Sequence, residues 1–108
     1  MKKIYLPLFI ISITTTITFA DTLELYKNCA GCHGENGEKQ ALNKSKLIGG
    51  QETNLTIKEL KAYKNGELNQ YGLGNIMKLQ VGILSQSDIE ELAEYISKLD
   101  VNASKKKH

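Results

Sequence analysis

NCAGCHG, residues 28–34, gathers both cysteines of a 108-residue chain and one of its two histidines into five consecutive positions. If the segment is helical, successive side chains turn by about 100°, and Cys29, Cys32 and His33 project from one face within an arc of about 100°. Two thiols and an imidazole on one face suit several chemistries. In an oxidising compartment the cysteines can pair as a disulfide, and a C-x-x-C pair can also serve as a redox dithiol. A structural zinc wants four ligands, and beyond these three only His108 is on offer, at the end of a lysine run.

The histidine directly after the second cysteine favours another reading, because C-x-x-C-H is the attachment signature of c-type haem. Thiols on that face can reach the two vinyl groups of a porphyrin and form thioethers. The imidazole of the next residue then points at the iron. A sixth iron position needs a donor of its own. Met77, in YGLGNIMKLQ, is the one methionine outside the first twenty residues, and it follows His33 by 44 positions. That is chain enough to wrap a macrocycle and return on its other side. A lone methionine is ordinarily a core gap-filler; beside a haem its thioether is a suitable iron ligand. His108 is the rival nitrogen, but its neighbours Lys105, Lys106 and Lys107 read as a solvated end.

The first twenty residues, MKKIYLPLFIISITTTITFA, carry Lys2 and Lys3, an apolar run over 4–13 and a threonine-rich stretch ending in Ala20. This is the layout of a secretory signal peptide removed after Ala20. Pro7 and the threonines at 14, 15, 16 and 18 dilute the run and count against an uncleaved membrane anchor. The expected organisation is therefore a signal peptide over 1–20, one working domain over 21–101 outside the cytoplasm, and a flexible basic tail over 102–108. The 88 residues after the leader are near the size at which an unaided core becomes marginal. They contain no Trp and no Phe, a deficit that a bulky apolar ligand would fill.

Charge narrows the partners. Without the leader and the three tail lysines, 9 lysines face 12 carboxylates, so the body is mildly acidic at −3 and carries no arginine. A nucleic-acid binder would need a concentrated basic face and its usual bidentate phosphate readers, which excludes that class. Lys44, Lys46, Lys64 and Lys78 are candidates for docking contacts by their positions in loops or at segment ends.

The rest of the chain supplies walls. Asp21 or Thr22 can cap a first helix with a Leu23, Tyr26, Ala30 stripe leading into the motif. A glycine-punctuated polar loop follows. TNLTIKELKAYKNG predicts a second helix started by Thr53 or Thr56, with Leu60 and Tyr63 on one face and Gly66 at its stop. Met77 falls on a loop or short helix. The clearest element is the last, where Ser85 or Ser87, with Asp88 or Glu90 three residues on, forms a capping box ahead of Ile89, Leu92, Ala93, Ile96 and Leu99 at helical spacing. That stripe is core, packed against the first helix. No segment reads as a strand.

LYKNCAGCHGENGEK, IGGQ, ELKAYKNGELNQYG, Met77 and LSQSDIEELAEYISKL, in that order, cover almost the whole expected domain. Together they resemble a small monohaem class I cytochrome c, of the cytochrome c553 type. The resemblance implies an all-α class I cytochrome c fold, three to five helices around one covalently attached haem c, with crossing N- and C-terminal helices. It assigns the thioethers to Cys29 and Cys32 and the axial iron ligands to His33 and Met77. It implies a periplasmic, monomeric one-electron carrier rather than an enzyme, not integral to a membrane after cleavage. Its redox partners would be a quinol-oxidising cytochrome complex, a terminal oxidase or a cytochrome c peroxidase. The alternative is a haem sensor or catalyst whose sixth position is open or labile. One departure stands out: a proline is common in the family after the motif, its carbonyl accepting from the ligating histidine. The matching position here is Leu47, and Pro7 is the only proline. The Leu47 carbonyl is the expected acceptor from His33.

Overall fold

A computed structural model describes residues 19–103. The leader expected over 1–20 thus lies outside the described residues except for its last two, and Lys105 to His108 lie outside as well. Four α-helices follow in order: α1 over Phe19–His33, α2 over Thr53–Lys64, α3 over Gly74–Val81 and α4 over Gln86–Ser97. A single 3-10 turn, Ala41–Asn43, interrupts the loop after α1, and no strand occurs among the described residues.

α4 forms where its sequence signals place it. The Ser85 hydroxyl accepts from the Asp88 amide at 3.0 Å, and the Asp88 carboxylate accepts from the Ser85 amide at 3.0 Å, so two orphan donors of the first turn are satisfied reciprocally. Ile89, Leu92, Ala93 and Ile96 are all buried, while Glu90, Glu94 and Lys98 are exposed. Burial of each large aliphatic side chain in that stripe contributes about 1.5–3 kcal/mol before ordering costs. α4 packs on α1, as its stripe predicts, and also on α2.

α2 begins one residue earlier in its cap than expected. Neither Thr53 nor Thr56 caps it; the Glu52 carboxylate does, accepting from the amides of Asn54 at 3.0 Å and Leu55 at 2.9 Å. Its far end closes at Gly66, whose φ of 73° lets the amides of Gly66 and Glu67 turn back onto the carbonyls of Tyr63 and Ala62. This pair of bonds is a Schellman motif, and glycine is the residue that enters it without Cβ strain.

α1 differs from expectation in two respects. It is already helical at Phe19, the first described residue, so Asp21 and Thr22 both lie inside it and neither is the cap. The buried face runs through Thr22, Tyr26 and His33, while Leu23 points partly to solvent. The Tyr26 ring decides this orientation. It packs at 5.1 Å between centroids against Tyr95 of α4, and its hydroxyl donates to the Gly34 carbonyl at 2.6 Å. Burial pushes that phenol well above its usual range, so it stays a neutral donor.

Candidate functional site

The helical placement of the motif holds: Cys29, Cys32 and His33 occupy the last turn of α1. Beyond them the chain reverses tightly. Gly34 donates back to Ala30 at 2.8 Å, Lys39 donates to the His33 carbonyl at 3.0 Å, and Ile48 and Gly49 both donate to the Gly37 carbonyl at 3.1 Å. Gly37 has a φ of 63°, and a Cβ there would run into the Gly49 backbone. The loop is thus pinned against the end of α1, which fixes His33 at 7% exposure.

Cys29, Cys32, His33 and Met77 all line one cleft, which encloses about 1490 Å³ of atom-free space including its open mouth. α1 provides the thiols and imidazole, and α3 provides Met77. Leu60 and Tyr63 of α2 and Leu92 and Ile96 of α4 complete apolar walls, as the shared face of Leu60 and Tyr63 predicts. α3 is seated by the Asn69 side chain, which accepts from the Gly74 amide at 2.8 Å, and by Lys64, whose ammonium donates to the Leu84 carbonyl.

The chemistry of the donor set discriminates among the readings of the motif. Both thiols are free. Burial, and then the neighbouring Cys32, push the Cys29 thiol up to about 11. A redox dithiol needs the opposite, a lowered thiol that is nucleophilic at neutral pH. No cluster of three or more His, Cys, Asp or Glu able to hold a metal ion occurs among the described residues, which leaves zinc without a ligand set there. Burial also lowers the His33 imidazole below its ordinary value, favouring the neutral form that can donate a lone pair to a metal.

The expected bond from His33 to the Leu47 carbonyl is not formed. Nδ1 of His33 is buried and has no hydrogen-bond partner. Leu47 is 46% exposed. A leucine does not fix its own φ as proline does, and here the neighbouring amides of Ile48 and Gly49, not the Leu47 carbonyl, anchor the loop, through Gly37. Two free thiols and a buried imidazole whose neutral form is favoured, all lining one cleft, fit a chain that awaits a cofactor.

Of the four lysines singled out by position, only Lys46 lines the cleft; Lys64 is committed to the Leu84 carbonyl, and Lys44 and Lys78 are exposed elsewhere. Lys46 lies 2.5 Å from Glu59 of α2. Sequence reading did not find Glu59, since a loop lysine and a helix carboxylate 13 positions apart leave no periodic signal.

The cytochrome c family profile matches residues 20–100, and the chain belongs to the cytochrome c family. Cytochrome c-553 of Helicobacter pylori (strain J99 / ATCC 700824) is 34% identical over 99 residues, covering 92% of this chain and 99% of that protein. Cytochrome c-553 of Nitratidesulfovibrio vulgaris (strain DSM 19637 / Miyazaki F) is 35% identical over 108 residues, covering 92% of this chain and all of that protein. Cytochrome c4 of Stutzerimonas stutzeri is 37% identical over 71 residues, covering 66% of this chain and 34% of that protein. The two full-length matches support the monohaem cytochrome c553 type, with the all-helical fold described above. The family's cofactor is covalently bound haem c, and Cys29, Cys32 and His33 fit its C-x-x-C-H motif. The chain is accordingly a haem-based electron carrier.

Proposed function

We propose that this protein is a periplasmic one-electron carrier whose haem c is bonded through Cys29 and Cys32 and ligated by His33 and Met77. The observation that carries the reading is that the imidazole and the thioether line one cleft from two different helices, α1 and α3. The haem supplies one-electron exchange between its ferrous and ferric states. The chain's part is to hold, ligate and shield. Cys29 and Cys32 tether the group in both oxidation states. Neutral His33 gives a nitrogen donor, and Met77 gives a soft, uncharged sulfur that favours the ferrous state and raises the potential relative to two nitrogens. His33 and Met77 together would leave no iron position open to oxygen, peroxide or a substrate, so the protein would transform nothing itself. The apolar side chains of α2 and α4 that line the cleft would shield the bound group from water.

Its partners are redox proteins: a quinol-oxidising complex upstream and a terminal oxidase or peroxidase downstream, met through small transient contacts. No helix among the described residues is long and apolar enough to cross a membrane. The test is the absorption spectrum of the natively exported protein. A far-red ferric band of the kind methionine sulfur gives on haem iron is expected, and Met77→Ala should abolish it and open the iron to carbon monoxide. A parent spectrum that already shifts with carbon monoxide would instead favour the sensor or catalyst with an open sixth position. Absence of visible absorption, with two titratable thiols, would refute haem binding altogether.

A further inference from the structure

On haem c the two thioether-forming positions and the two propionates lie at opposite ends of the macrocycle. α1 holds the thioether end. α1 itself packs on α4 and the 3-10 turn, whereas α2 packs on α3 and α4, so α1 and α2 flank the cleft as separate walls. Beside Leu60, the α2 wall also carries a polar stripe. Thr56, Glu59 and Tyr63 recur at i, i+3 and i+7 along its cleft face, and Thr56 accepts from the Gln51 side chain at 2.9 Å. Among the described residues, one cation and one carboxylate line the cleft, and they are bonded to each other: Lys46 and Glu59, their side chains 32% and 20% exposed.

Carboxylates carried into a partly buried site need a cation, because desolvation without a partner is costly. The chain has no arginine to offer. We propose that the Lys46–Glu59 pair is the seat of the haem's propionate edge, with Lys46 the counter-ion that the propionates share and Glu59 the fixed anion that holds Lys46 in place. This rests on the carrier reading and adds the residues that tune it. The ferric haem is one unit more positive than the ferrous. Negative charge on the α2 wall therefore favours the ferric state and positive charge the ferrous, and charges this sheltered are little screened by salt. Glu59 lowers the midpoint potential and Lys46 raises it.

The test is equilibrium redox titration of the haem-loaded, exported protein and of Lys46→Gln, Glu59→Gln and Lys46→Arg, with haem content measured by pyridine haemochrome. Glu59→Gln should raise the midpoint, Lys46→Gln should lower it, and Lys46→Arg should restore it to near the parent value. The shifts should persist at high salt. Lys78→Gln, a lysine outside the cleft, should move the midpoint less than Lys46→Gln. A loaded Glu59→Gln or Lys46→Gln variant with an unmoved midpoint, or two shifts of the same sign, overturns the assignment. Either variant decides alone if the other is not recovered. A parent without haem overturns the carrier reading itself, so the two failures are told apart.

Discussion

Leu92→Ala isolates what the α4 stripe contributes. Leu92 is 1% exposed, belongs to the core formed with Tyr26, Ile89 and Ile96, and also lines the cleft. The substitution removes three carbons, worth about 2.4 kcal/mol at ~0.8 kcal/mol per buried group, and the void left behind carries buried leucine truncations toward about 3–5 kcal/mol. A domain of this size has about 4–13 kcal/mol to lose. A loss of about 3 kcal/mol lowers the melting temperature by roughly 12–24 °C at 4–8 °C per kcal/mol. Leu55→Ala is the matched control, since Leu55 is 43% exposed and lies away from the cleft. Scaling the transfer term by its burial gives about 1.4 kcal/mol. Urea denaturation of the haem-loaded ferric protein, followed by helical circular dichroism, measures both. If Leu92→Ala costs under ~1 kcal/mol, or no more than Leu55→Ala, burial on α4 is not what holds the helices together, and the packing argument fails.

Ser85→Ala should cost about 1 kcal/mol and Ser85→Gly only a few tenths, read as a shift in urea midpoint at constant slope. Gly66→Ala should destabilise by about 1 kcal/mol because the φ of 73° strains any Cβ. Gly31→Ala should gain about 0.5–1 kcal/mol without reducing haem content, since Gly31 is interior to α1 and a Cβ there meets nothing within 4 Å. Burial lowers the folded-state pKa of His33 below its ordinary 6.5, so the neutral, ligating form is favoured in the fold.

The sequence made α4 legible because three independent signals coincide there: the Ser85 and Asp88 box, an uninterrupted stripe, and charged residues on the opposite face. The motif was legible because its chemistry depends on local helical spacing alone. Met77, which lines the cleft, was singled out by scarcity, and its helix is marked by neither cap nor stripe, since Leu73 supplies no side-chain cap and α3 is only eight residues long. What escaped depends on tertiary geometry. Glutamate ranks low among capping residues, yet at position 52 its longer side chain reaches two amides, and the threonines are left inside α2. On the α1 face Tyr26 and Ala30 do meet the core, but its first position was read at Leu23, the more apolar residue, whereas with Tyr26 docked on Tyr95 the buried one is Thr22. The loop after the motif was read from family habit at Leu47, but its anchoring runs through Gly37.

α2 leans on α3 at one flank and on α4 at the other, while α1 leans on α4. The cysteine-bearing helix and the methionine-bearing helix are therefore joined mainly by way of the α2–α4 seam. A perturbation that parts this seam lets the chain come open as two blocks, α1 with α4 and α2 with α3, instead of fraying helix by helix. A prosthetic group gripped from both blocks would act as a rivet across the join, and redox function and mechanical integrity would then share one piece of hardware.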